Sequence, residues 1–176
     1  LGDVYKRQLL DTLRDYNPER IVTVFGCGGN RSKTRRYEMG EVSGKLSDFT
    51  IITSDNPRFE EPQAIIDDIK TGIARTNGKY VEICDRKEAI AYAIHHGEPG
   101  DIIVLAGKGH EDYQEIKGVK HHMNERELIA DIIRENLEVY MNDDDITGVF
   151  IWQFADCRVT EEGQLFASRA RCHNNK

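Results

Sequence analysis

Apolar residues along this chain keep two rhythms. Short continuous runs at "IVTVFGCGG" (21–29), "FTIITS" (49–54), "YVEIC" (80–84) and "DIIVLAG" (101–107) read as buried strands, the first running into a glycine turn. Segments of helical period lie around them. "LLDTLRDY" (9–16) has its apolar residues at helical spacing and is broken by "NPER". "RRYEMGEVSGKLS" (35–47) predicts a helix despite its glycines. "PQAIIDDIKTGIA" (62–74) puts Ile65, Ile66, Ile69 and Ile73 on one face, with Pro62 near the start, where a missing N–H is tolerated. "DRKEAIAYAIHHG" (85–97) offers Asp85 as N-cap and Gly97 as C-cap, and "NERELIADIIREN" (124–136) is a closing helix.

Strands and helices alternate, and the strands are apolar on both faces. That pattern belongs to an α/β fold, a mostly parallel sheet with helices on both faces. In such sheets ligands bind beyond the carboxyl ends of the strands. Three polar turns fall on that edge: "GCGGNR" after the first strand, "DNPR" after the second and "GKGHE" after the fourth. Their coincidence predicts a site. From about residue 137 the alternation is lost. "TGVFIWQF" (147–154) reads as one more buried strand and the remainder as loop, a poorly packed end.

Composition narrows the partners. Among 176 residues 39% are apolar and 31% charged, with a net charge of −7, which argues against a general nucleic-acid binder. No apolar run approaches the roughly 20 residues of a membrane span. The four cysteines (Cys27, Cys84, Cys157, Cys172) are scattered, without a C-x-x-C pair. No metal site is expected, and a reducing cytoplasm is the default location.

Each turn has a plain reading and a chemical one. "GCGGNRSKTRR" (26–36) is either a solvated basic loop or an anion site built from glycine N–H groups and Arg31, Lys33, Arg35 and Arg36. "GKGHEDYQ" (107–114) is either a glycine turn with solvated charges or a ligand turn. In the second case Gly107 and Gly109 admit close approach, Lys108 and His110 face an anion, and Glu111 accepts from an ammonium. It lacks the G-x-x-x-x-G-K-[ST] spacing of a phosphate loop. "DNPR" is either an Asn-Pro turn with a solvated arginine or a carboxylate reader, with Arg58 gripping two oxygens, Asn56 beside it, and Asp55 shaping the turn or accepting from an ammonium. The chemical readings together describe a zwitterion site and an amino-acid ligand. Cys27 reads as a small buried residue, since no partner base is evident.

"VFGCGGNR", "TSDNPRFEEP" and "VLAGKGHEDYQ", in that order, resemble the C-terminal domain of the Mur ligases, in the branch that adds meso-diaminopimelate during peptidoglycan synthesis. The likeness covers roughly residues 9–135. It implies a Rossmann-like sheet carrying the incoming amino acid. It also implies ATP-driven amide formation, in which the UDP-MurNAc-dipeptide carboxylate is phosphorylated with ATP and Mg²⁺ before the amine attacks. By motif position, Arg31, Asn56, Arg58, Gly107 and Glu111 would hold meso-diaminopimelate, with Asp55 shaping the turn. Arg58 would read the second carboxylate, which lysine lacks. Lys33, Arg35 and His110 would lie near the nucleotide. The family's ATP-binding central domain and sugar-nucleotide domain have no counterpart here, so the resemblance implies a monomeric piece that is inactive alone.

Two segments fall outside that likeness. Residues 1–8, "LGDVYKRQ", fit nothing in the family and are expected to be foreign sequence. Residues 136–176 resemble the C-terminal end of a β-glucuronidase-type family 2 glycoside hydrolase, with Trp152 against the sugar and Asn174 with Lys176 on a uronate carboxylate. A chimeric chain is one reading of that tail, and an apolar strand with a loose end is the other. The alternatives to a ligase piece are a non-catalytic amino-acid-binding module and a glycosidase fragment.

Overall fold

The structure, a computed structural model, describes residues 2–108, 111–141, 157–159 and 165–167. The chain divides into two compact units, Leu1–Ile132 and Ile133–Lys176.

The first unit is built on four parallel strands, β1 (Arg20–Phe25), β2 (Phe49–Ile52), β3 (Tyr80–Glu82) and β4 (Asp101–Ala106), in the spatial order β3-β2-β1-β4. β1 is flanked on both sides, so its residues 21–25 are all buried. Edge strand β3 is half exposed, against the expectation of four equally buried strands. Its single partner, β2, leaves one edge uncovered.

Alternate β1 residues face opposite ways. Phe25 and Ile52 pack with Ile65, Ile66, Ile69 and Ile73 of α3 (Pro62–Ile73), the isoleucine face read from the sequence. Ile21 and Val104 pack with Leu10 of α1 (Gly2–Arg14). Val22, Val24 and Ile51 face Ala89 and Ala93 of α4 (Arg86–His95). Fully burying side chains of this size contributes about 1.5–3 kcal/mol each. α2 (Lys33–Leu46) has almost no apolar face and is seated instead by buried hydroxyls. Ser43 bonds Thr50 at 2.9 Å, and Ser47, just past the helix, bonds Thr23 at 2.7 Å.

Local signals behaved as their chemistry requires. Pro62 opens α3, and the Asp85 carboxylate accepts from the N–H groups of Lys87 (2.7 Å) and Glu88 (3.1 Å). The C-cap of α4 is His96, one residue before Gly97. α1 runs unbroken from Gly2, so residues 2–8 continue the helix expected from residue 9.

One element was not anticipated. β5 (Tyr113–Ile116) and β6 (Val119–His122) form an antiparallel hairpin where no structure was read. Its two-residue turn is Lys117-Gly118, both with positive φ (50° and 78°), as such a turn demands. α5 (Glu125–Met141) runs from the first unit into the second. In the second unit β7 (Cys157–Val159) pairs antiparallel with β8 (Leu165–Ala167), where loop was expected. The strand expected over 147–154, and Trp152, Asn174 and Lys176, lie outside the described residues.

Candidate functional site

The turns after β1, β2 and β4 converge on one cavity of about 510 Å³. It sits at the carboxyl ends of the strands, beside the β1–β4 step where the strand order reverses direction, the place ligands favour in sheets of this order. Arg31, Arg35, Asp55, Asn56, Arg58, Gly107 and Glu111 all line it. Those are the six residues proposed to bind substrate and one of the three placed near a nucleotide. Lys33 is exposed, lies 3.5 Å from Asp68, and is not in the wall. His110 lies outside the described residues.

The turn after β2 is held from two sides. The Asn56 carbonyl accepts from Gly29 N–H (2.8 Å), and the Arg58 N–H donates to the Glu115 carbonyl (3.0 Å) on the hairpin. Arg58 is held at φ 54°, a backbone state that side-chain-bearing residues seldom adopt. Its guanidinium is aimed by two acceptors. Nη1 donates to the Gly29 carbonyl at 2.8 Å, and Nε pairs with Glu115 at 3.3 Å. Nη2 makes no hydrogen bond with the described residues. A guanidinium held through Nε and Nη1, with Nη2 unengaged, suits an incoming carboxylate.

The opposite charge lies next to it. Asn56 Nδ2 donates to Glu111 Oε2 at 2.8 Å, and Asp55 and Glu111 both border the cavity. Gly107 has φ 123° and its Cα faces the Asp55 carboxylate, 3.4 Å from where a Cβ would stand. Glycine is required there by the backbone conformation; a Cβ would only touch the carboxylate.

Lys108 corrects the sequence reading most sharply. It was read as a phosphate or carboxylate partner of a ligand turn, but its side chain is 0% exposed. Nζ donates to Asn56 Oδ1 and to the Tyr113 carbonyl, each at 2.6 Å. It also lies 3.2 Å from Asp55 Oδ1 and 3.7 Å from Glu111 Oε2. The Asp55 contact is an ion pair rather than an aligned hydrogen bond.

The glycine turn after β1 is less available than its composition suggests. Arg36 is 1% exposed and grips Glu60 (2.8 and 2.9 Å) and Asp68 (2.9 Å). The Glu60 hydrogen bonds raise its pKa, and that bond in turn holds the Glu60 carboxyl below the usual range, helped by Asn30 N–H. The N–H groups of Gly29 and Asn30 are thus both occupied, so this turn is not an open phosphate cradle. A Cβ at Gly29 would strike the Pro57 carbonyl, which is why the two turns can touch. Arg31 and Arg35 remain exposed as cations of the wall.

Two further wall residues were not anticipated as such. Lys6 is buried with Nζ 2.9 Å from the centre of the Phe25 ring, and burial pushes its pKa well below the ordinary value. Cys27 is buried beside Met39, and burial pushes its thiol up to about 11, so it is no nucleophile at neutral pH. Arg86 also escaped notice. Fully buried, it pairs with Glu125 at 2.6 Å and donates to the Ala106 carbonyl at 3.1 Å, bracing the end of β4. Glu115 was missed because the hairpin was missed, although a Lys-Gly pair between short strand-like runs was its signal.

Among the described residues no group of His, Cys, Asp and Glu could hold a metal ion, and no helix is long and apolar enough to cross a membrane. The arrangement can bind a small zwitterion.

Residues 6–109 match the family model described as Mur ligase, glutamate ligase domain. The chain is 48% identical over 130 residues to a UDP-N-acetylmuramoyl-L-alanyl-D-glutamate–2,6-diaminopimelate ligase of Caldanaerobacter subterraneus subsp. tengcongensis, covering 74% of this chain and 27% of that protein. It is 54% identical over 114 residues to the ligase of the same name from Bacteroides thetaiotaomicron, covering 64% of this chain and 24% of that protein. A solved structure of a ligase of that name superposes with a TM-score of 0.73 at 38% identity, over 77% of this chain and 28% of that one. The chain therefore spans about a quarter of the length of the relatives it matches. None of these proteins is a glycoside hydrolase, and that likeness of the tail is not borne out.

Proposed function

This chain belongs to the Mur ligase family, as its C-terminal domain, and on that premise we propose that it receives the incoming amino acid, meso-diaminopimelate, for an ATP-dependent amide-forming ligase of peptidoglycan synthesis. The observation that carries this reading is the single cavity whose wall holds Arg58 and Arg31 together with Asp55 and Glu111. A zwitterion needs both signs within one small space. Arg58, with Asn56 beside it, takes a carboxylate, while Asp55 and Glu111 take an ammonium. Gly107 lets the ligand lie against the backbone.

The second carboxylate of meso-diaminopimelate gives a second guanidinium, that of Arg31, a partner in a wall that also holds Arg35 and Arg36. Lysine would leave one guanidinium without a partner. The names of the relatives support this substrate. ATP and Mg²⁺, and the UDP-MurNAc-dipeptide that is extended, are assigned to the remaining three-quarters of such a ligase. Arg35 and Lys33 are then the cations nearest to that nucleotide, and His110 belongs with them. The protein works as a monomer in the cytoplasm, with no nucleic acid or membrane partner.

Titration calorimetry with meso-diaminopimelate and with lysine tests this on the chain itself. Diaminopimelate is expected to bind more tightly than lysine. Arg58→Ala is expected to remove about 10–100-fold of that affinity, the loss of one charge-assisted contact of about 1.5–3 kcal/mol. Equal binding of the two amino acids by the unmodified chain would defeat the assignment.

A further inference from the structure

We infer that Lys108 is the positioning residue of this cavity: its buried ammonium decides which way the Asn56 carboxamide faces and balances the acid pair beside it. The inference rests on the amino-acid reading above and deepens it.

A carboxamide has a donor end and an acceptor end of nearly equal shape, and either can face a given neighbour. Here the choice is forced. Asn56 Oδ1 lies 2.6 Å from Lys108 Nζ and 2.9 Å from the Glu115 N–H, and both of those groups can only donate. The oxygen must therefore sit between them. Nδ2 is left toward Glu111, 2.8 Å away, with its second hydrogen free to meet a ligand carboxylate beside Arg58. Rotation of the amide would place two donors against two donors and would turn an acceptor toward the carboxylate.

The charge balance follows from the same ammonium. Asp55 and Glu111 both flank Lys108, so two carboxylates and one ammonium leave a single net negative charge. That matches one ammonium of a ligand. Lys108 is itself closed off from the cavity, so it acts through Asn56, Asp55 and Glu111 rather than by touching the ligand.

The test is a double-mutant cycle in the full chain, read by calorimetry with meso-diaminopimelate on the wild type, Lys108→Met, Asn56→Ala and the double variant. Each single change is expected to cost at least tenfold. The double is expected to cost no more than the worse single, because Lys108 has no amide left to orient. Multiplied losses, or wild-type affinity in a folded Lys108→Met, would overturn the inference. Lys108→Arg keeps donor and charge, and is expected to return affinity to within about tenfold of the wild type. Affinity as low as in Asn56→Ala would count against it.

A second readout does not depend on the ligand. In the unliganded wild type the Asn56 Nδ2 hydrogens should exchange with solvent more slowly than those of exposed Asn77. In Lys108→Met that exchange should speed up toward the Asn77 rate. Exchange as fast as at Asn77 in the wild type, or unchanged exchange in the variant, overturns the proposal even if diaminopimelate proves not to be the ligand. Conversely, if no heat is seen with the wild type while the amide signals behave as expected, only the functional reading falls.

Discussion

The first turn of α2, which follows the β1 turn, and the turn after β2 each carry an arginine that the sequence offered as a cation, and the fold uses them in opposite ways. Arg36 is sealed beneath the glycine turn between Glu60 and Asp68, with 1% of its side chain exposed. Arg58 has one carboxylate partner, Glu115, and keeps 27% of its side chain open beside the cavity. The difference lies in the neighbours. A guanidinium with two carboxylates in a buried pocket is already neutralised and holds the backbone together. One with a single partner and an unengaged Nη2 still has capacity for a ligand anion. A basic residue after a strand therefore announces a site only when the fold leaves it under-paired.

The largest effect expected from this comparison is on folding. Arg36→Ala strands two carboxylates beside a buried void, and should cost about 3–5 kcal/mol of stability, read as a fall in the midpoint of urea unfolding. A loss below about 1 kcal/mol would place Arg36 among the solvated charges and erase the contrast. Arg58→Ala should do the reverse. Its pair with Glu115 is partly exposed and worth about 1 kcal/mol or less, so the unfolding midpoint should barely move while ligand affinity drops. Comparable losses of stability in both variants would break the comparison.

A pH series sharpens it. The Glu60 carboxyl is held below its ordinary value first by its bond to Arg36 and then by Asn30 N–H. The folded form thus binds the proton less readily than the unfolded form. The stabilisation is fully present above the usual carboxylate range and is lost as pH falls through and below it. Urea midpoints measured from pH 6 to pH 2 should fall less steeply in Arg36→Met than in the wild type. Parallel slopes would mean that Arg36 does not govern Glu60.

The smallest expected effect is chemical. Cys27 sits inside the β1 turn, and its burial raises the thiol pKa to about 11, whereas Cys84 is exposed. At pH 7.5 a thiol reagent followed by peptide mapping should label Cys84 well before Cys27. Equal rates would show that the turn around Arg36 opens readily.

Much of this was readable in advance because it is local. The isoleucine stripe of α3, Pro62 at its start and the Asp85 cap each depend on neighbours a few residues away, and each appears as the pattern requires. The hairpin β5–β6 was also local and was overlooked, because its strands are polar and half exposed and so lack an apolar rhythm. With it went Glu115, the partner that aims Arg58.

By itself, then, the order of residues determined that strands and helices alternate, that the strands run parallel, and that three chemically marked turns share one edge. Those follow from periodicity and from the handful of residues that can turn a chain. Only the tertiary structure decided which charges face the cavity and which are consumed beneath it. Lys108 and Arg36 lie among exposed-looking neighbours in the sequence, yet both are buried by carboxylates or an amide oxygen brought from distant segments, with the nearby Tyr113 carbonyl as a further partner of Lys108. A charge is disposed of by its partners, and partners 24 to 52 residues away are brought together only by the packed chain.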